Sequence, residues 1–291
     1  MFKFIYTNSG GGSVELGQKA PFFVTSKEGL SGVDNDISTT TQFNIDGAYL
    51  INQRLATRNI VIKGEMLATS QTNLEELRLQ LSSVFAPLEA GNLRYEVDGR
   101  TYAIDVNVDK MPEFDTPQKN LTLEYVISLT ALNPYFWDIS EYEKLIPLSR
   151  IENKMTWPLA ITSQYKFANI VSGEINKVTN NGDVPTGAIY TLKIGGSVSN
   201  IKILNVVNQE YFAIDGTFVS GDVIYLNTVK GSLKLTKTDA NGNVTNIIAT
   251  RGAGSKFFEL IKGDNYIQVL AQTGQTAIVT DMQFTPLVIG V

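Results

Sequence analysis

Ala131-Leu132-Asn133-Pro134-Tyr135-Phe136-Trp137-Asp138 divides this 291-residue sequence into halves of different pattern. Asn-Pro punctuates regular structure, because proline lacks an amide donor and biases the residue before it toward extended backbone. Upstream the pattern mixes strands with one helix; downstream it is nearly all β. Two domains are therefore expected, 1–137 and 138–291, each near the usual domain size of about 100–200 residues.

Working back from that junction, Leu121 to Thr130 and Ala103 to Met111 read as strands, with Pro112 and Pro117 between them. Tyr95-Glu96-Val97-Asp98-Gly99-Arg100-Thr101-Tyr102 is a hairpin, since Asp-Gly supplies the two positive-φ residues of a type I′ turn. Thr72 and Glu75 have the spacing of a capping box. Leu74, Leu77, Leu81, Val84, Phe85 and Leu88 follow at helical spacing, predicting one amphipathic helix at about 73–86, closed by Pro87 and Gly91. Arg58 to Met66 reads as a β-branched strand. Gly32 to Asp46 is polar, Thr-rich and extended, and Asp46-Gly47 is a turn before Ala48-Tyr49-Leu50-Ile51. Phe22 to Thr25 is a short strand, and Phe2, Phe4 and Tyr6 alternate before Gly10-Gly11-Gly12.

Forward from the junction, turn signals recur at Asn181-Gly182, Gly195-Gly196, Asp215-Gly216, Gly221-Asp222, Lys230-Gly231, Asn241-Gly242 and Gly263-Asp264. Between them lie strands such as Ile201–Val207, Val223–Val229, Leu233–Thr238 and Tyr266–Ala271. Lys256 to Leu260 also reads as a strand. Turns at this spacing without a helix predict a β-sandwich or jelly roll. The fold class expected is mainly β in two domains.

Composition narrows the chemistry. Hydrophobic residues are 43% and charged residues 18% of the chain, as for a globular protein. It contains no Cys and no His, which excludes Ser-His-Asp and Cys nucleophile chemistry, disulfides and His/Cys metal sites. The net charge is −5, and no Lys/Arg run marks a nucleic-acid surface. Residues 1–137 hold 11 Lys/Arg against 16 Asp/Glu and carry all of that net charge. No apolar stretch reaches the roughly 18 residues of a membrane span, and the N-terminus lacks a signal-type apolar core, so cytoplasmic synthesis without membrane insertion is expected.

Other motifs have plainer readings. Asp239-Ala240-Asn241-Gly242-Asn243 opens like a calcium loop, but Val244 and Thr250 stand where Gly and Glu are required, so a hairpin turn is expected. Gly10-Gly11-Gly12 and Gly252-Ala253-Gly254 lack the remainder of any phosphate-binding motif. The acid pairs Asp34/Asp36, Asp105/Asp109 and Glu113/Asp115 have no flanking signature of glycosidase chemistry. Tyr211, Phe212, Tyr225, Phe257, Phe258 and Tyr266 either stack on sugars or alternate into a sandwich core. No enzyme activity, cofactor or metal is expected.

Residues Ala131 to Asp138 resemble the NPYF-like junction of siphovirus distal tail proteins. Trp157-Pro158-Leu159 and Asn181-Gly182-Asp183-Val184-Pro185 resemble segments at the start of that family's C-terminal domain. Gly221-Asp222-Val223-Ile224-Tyr225-Leu226-Asn227-Thr228 resembles its G-D-x-I-x-I-D-T strand, with Asn227 in place of Asp. Gly254 to Asn265 resembles its S-x-F-F-x-L-x-x-G-x-N close. Upstream, Asp46-Gly47, Arg58 and the capped helix follow the family's order.

The resemblance implies a split-barrel-like N-terminal domain with one helix and a galectin-like or jelly-roll C-terminal sandwich. It further implies six copies in a ring that passes tail contents and joins the tail tube to a baseplate, fibre or receptor-binding protein. A hairpin within Gly32–Arg58 is expected to reach a neighbouring subunit through Asp46, Gly47, Tyr49, Leu50 and Ile51. A lumen that passes DNA without trapping it should avoid cations, so Asp98, Asp105, Asp109, Glu113 and Asp115 are candidate lumen acids. The location implied is the virion tail tip, after assembly in a host bacterial cytoplasm. A carbohydrate-binding adhesin module is the alternative.

Overall fold

The structure, a computed structural model, describes residues 1–115, 121–141, 144–153 and 168–291. Pro117 and the Trp157-Pro158-Leu159 segment lie outside the described residues. The chain forms two compact units, Met1–Ser140 with Val288–Val291, and Glu141–Leu287. The division is thus not a single cut in the chain, because the last four residues return to the first unit.

The first unit contains β1 (Phe2–Asn8), β2 (Ser13–Gly17), β3 (Phe22–Glu28), β4 (Asn35–Thr40), β5 (Tyr49–Leu55), β6 (Arg58–Leu67), helix α1 (Gln71–Val84), β7 (Ala90–Val97), β8 (Arg100–Val108), β9 (Glu113–Phe114), β10 (Thr122–Ala131) and β11 (Phe136–Asp138). Strands β8, β7, β1, β2, β3, β6 and β10 are hydrogen-bonded in that order, and β10 pairs again with β8. Seven strands therefore close on themselves, the closing contact being the pairs Leu129–Val108 and Thr130–Asn107. Alternation fills the interior: Ile60, Ile62 and Met66 of β6 face Leu123, Ile127 and Leu129 of β10.

One turn and one cap show how local sequence sets this barrel. Asp98 and Gly99 have φ of 49° and 80°, so the β7–β8 hairpin is closed by the positive-φ pair its sequence announces. The helix starts earlier than the Thr72–Glu75 spacing suggests. Ser70 is its N-cap, accepting from the Asn73 amide at 3.1 Å, while the Asn73 side chain accepts from the Thr69 amide at 3.2 Å. Beginning at Gln71 puts Leu74, Leu77, Leu81 and Val84 on the buried stripe. Phe85 ends the helix and stacks on Tyr6 with ring centroids 4.3 Å apart. Leu88, included in the helical spacing, lies past this end at φ 75° and is fully exposed.

The second unit contains β12 (Ile146–Pro147), β13 (Arg150–Asn153), β14 (Ala168–Val171), β15 (Ile175–Asn180), β16 (Ala188–Ile194), β17 (Val198–Asn205), β18 (Glu210–Phe218), β19 (Val223–Asn227), β20 (Lys234–Thr238), β21 (Val244–Asn246), β22 (Gly263–Thr273) and β23 (Ile278–Phe284); β24 (Leu287–Val288) follows and joins the barrel's sheet beside β11. A six-stranded sheet, β12-β23-β16-β19-β20-β21, faces a four-stranded one, β15-β22-β17-β18. Tyr190, Leu192 and Leu226 from the first and Ile203, Phe212 and Ile267 from the second belong to one buried cluster. This is the expected sandwich.

Two local readings change. Asp215-Gly216 does not end a strand but lies inside β18, where the Gly216 amide donates to the Asn200 side chain at 2.9 Å and the register with β17 shifts. The Asp-Gly signal marks a bulge there. Lys256 to Leu260 is extended without forming a regular strand, held by Lys256 N–H to the Tyr211 carbonyl at 2.8 Å and by a bridge from Leu260 to Thr186. The Asp239 loop is the turn between β20 and β21, its carboxylate accepting from the Asn241 and Asn243 amides at 2.9 Å each.

Candidate functional site

One element of the first unit stands outside the barrel. Strands β4 and β5 pair only with each other among the described residues. Their base is closed by the Ala56 amide donating to the Asp34 carbonyl at 2.9 Å. Every residue of β4 is exposed, as is all of β5 except half-buried Leu55. A lone two-stranded ribbon is marginal in water.

The register of this arm gives its two sides different chemistry. Asp36 lies opposite Arg54 and Ser38 opposite Asn52, while Ile37 lies opposite Gln53 and Thr39 opposite Leu50. Cross-strand partners share a face and neighbours alternate. One face therefore carries Asp36, Ser38, Thr40, Tyr49, Asn52 and Arg54, with Arg54 Nε bonded to the Asp36 carboxylate at 3.0 Å. The other carries Ile37, Thr39, Leu50, Ile51, Gln53 and Leu55. The bulge between Ser38 and Thr39 leaves Ile51 unpaired and puts it on the same side as Leu50. Phe43, 93% exposed, and Ile45 extend the apolar surface into the tip, where Asp46 and Gly47 also lie.

The five candidate lumen acids are exposed on the first unit, but they do not form one cluster. Asp98 sits in the β7–β8 turn, 3.7 Å from the Met1 amino group. Asp105 is on the outer side of β8 and accepts from the Asn92 side chain at 3.0 Å. Asp109, Glu113 and Asp115 are at or beyond the far end of β8, and Glu113 is paired with Lys110 at 2.6 Å. Since a strand rises about 3.3 Å per residue, Asp98 and Asp109 stand roughly 30 Å apart. Asp98 therefore belongs to a different level of the wall from the other four.

The aromatic candidates of the sandwich divide between core and surface. Phe212 and Phe258 are buried, and Phe257 packs on Phe212 at 4.8 Å. Tyr211 donates its hydroxyl to the Ala253 carbonyl at 3.1 Å and has Lys202 Nζ 4.0 Å from its ring centre. Tyr266 is 39% exposed. No cluster of three or more carboxylates fit to hold a metal occurs among the described residues.

Two family models match the chain in succession. Residues 9–125 match the phage tail protein RIFT-related domain, and residues 181–287 match the C-terminal domain of siphovirus-type tail components. This chain belongs to the siphovirus-type distal tail protein family. No curated protein sequence matches it. Among solved structures, the Dit protein of phage SPP1, described as a hub of the adsorption apparatus of phages infecting Gram-positive bacteria, is 11% identical with a TM-score of 0.68, over 98% of each chain. A chain of the phage p2 baseplate in its activated conformation with Sr is 10% identical with a TM-score of 0.51, over the whole of both chains. At such identities the likeness shows the fold, the same succession of barrel and sandwich. A distal tail protein is a structural component of the phage tail, and that is the class of role this chain has.

Proposed function

We propose that six copies of this distal tail protein close into a ring that joins the tail tube to the tail-tip or receptor-binding apparatus, each copy laying its β4–β5 arm on its neighbour. The observation that carries this reading is the arm itself, a ribbon exposed on both faces with Ile37, Leu50 and Ile51 gathered on one. Such a face is costly in water and gains when covered, at about 25 cal/mol per Å² of apolar surface. A second copy of the chain is the partner that a ring supplies at every arm. Asp105, Asp109, Glu113 and Asp115 would then present a non-cationic wall to DNA, with Asp98 at another level. The ring would stand at the virion tail tip after assembly in the host cytoplasm.

Light scattering of purified protein tests the ring. A particle near six times the 32.0 kDa chain mass supports it. A monomer that stays monomeric with tail-tube and baseplate partners added, and that binds glycans, would replace this reading with the adhesin module.

A further inference from the structure

Arg58, the first residue of β6, is 2% exposed. Burial lowers its pKa from the ordinary arginine value. Its guanidinium is matched by backbone carbonyls. Nε donates to Pro134 O at 2.9 Å, and Nη1 to the carbonyls of Gly29 (2.5 Å), Leu30 (3.0 Å) and Gly32 (3.2 Å). Nη2 donates to the Ile289 carbonyl, and the group lies over the Phe136 ring at 4.8 Å.

These acceptors come from three separate stretches of chain. Residues 29–32 lead into β4, Pro134 precedes β11, and Ile289 lies in the tail after β24. Arg58 itself follows β5 by only three positions, so one cation holds both stems of the arm. The tail also touches the arm's entry directly. The Val291 amide donates to the Leu30 carbonyl at 3.2 Å, and a Cβ on Gly290 would stand 2.5 Å from the Ser31 carbonyl oxygen.

We propose that Arg58 and the tail act as one clamp, so that the arm's base is ordered only while residues 288–291 are docked against residues 29–32. A buried cation surrounded by neutral dipoles is costly when any donor is left unmatched. Undocking the tail strips Nη2 of its acceptor and opens the site to water, which loosens the remaining bonds to the arm's entry. An arginine that merely stabilised the barrel would tie no element selectively. The effect of the clamp on assembly rests on the arm contacting a second copy; the coupling itself is intramolecular and does not.

Amide hydrogen exchange on the full chain tests it, at a concentration where all variants give the same mass by light scattering. The Ala56 amide reports the arm's base, the Val291 amide the tail, and the β7 and β8 amides the barrel. Gly290→Ala pushes the tail away from Ser31 without altering the guanidinium. The expected result is exchange faster by at least about tenfold at both Ala56 and Val291, with β7 and β8 unchanged. Arg58→Lys, which keeps the charge but loses the planar fork, should give the same paired pattern. Faster exchange at Val291 alone in Gly290→Ala overturns the proposal, as does an equal rise at all three reporters. If Arg58→Lys does not fold, Gly290→Ala alone decides.

Discussion

At position 64 any side chain would collide with the Phe23 carbonyl and the Tyr125 ring, since an added Cβ overlaps both. Glycine leaves the space into which Tyr125 extends to donate its hydroxyl to Phe23 O at 3.0 Å. Gly64→Ala should therefore cost about 1–3 kcal/mol, the usual range for overpacking a core. Tyr125→Phe, which keeps the ring, should cost only about 1 kcal/mol. Urea unfolding followed by tryptophan fluorescence measures both, and an alanine variant as stable as the parent would contradict the geometry. Gly64 was not legible as special in the sequence, and Arg58 stood out there only as a position in the family's order, not as a buried cation. What they meet is largely backbone carbonyl, and a carbonyl carries no trace of itself in residue identity. The Asp98-Gly99 turn was legible because its requirement, two positive φ angles, is met by the two residues themselves.

The elements differ in the same way. Thr72–Glu75 has the spacing of a cap, but it is the Ser70 hydroxyl that accepts from the Asn73 amide and starts the helix at Gln71. Ser70→Ala should destabilise by about 1 kcal/mol and Thr72→Ala by much less; equal effects in thermal unfolding would return the cap to Thr72. The arm was legible as extended and as the inter-subunit candidate, but not as two-faced. Tyr49-Leu50-Ile51 reads as an apolar run, and it takes the bulge to place Tyr49 on one side and Leu50 with Ile51 on the other. That assignment gives the ring reading its sharpest test. Leu50→Asp or Ile51→Asp should reduce assembly to monomer, whereas Asn52→Asp on the polar face should leave it intact. Sedimentation velocity reads both, and loss of assembly by the polar-face change alone would reverse the docking side.

On the scale of the whole molecule, a chain without histidine has no side chain of ordinary pKa between about 5 and 8. The shifted groups lie outside that window. Asp239, held by the Asn243 side chain, and Asp264, held by Lys177, have carboxyls below their usual range. Stability from a depressed carboxyl is complete above its unfolded pKa and disappears as pH falls through the folded one, so any loss begins below about pH 4. Burial raises Tyr125 and Tyr190, whose contribution is complete below an unfolded pKa of about 10 and disappears above it. Thermal midpoints should therefore be level from pH 5.5 to 8.5 and fall on either side; a slope across that interval would reveal a titrating group not accounted for.

The return of residues 288–291 to the first unit has a mechanical side. The chain leaves that unit after Ser140 and re-enters it after Leu287, and β11 and β24, which flank the two crossings, are hydrogen-bonded neighbours. Tension applied to the sandwich is consequently carried by two covalent tethers in parallel. β24 is the outer strand of the pair, so the returning tether is tied to the barrel through β11, which is itself paired with β8.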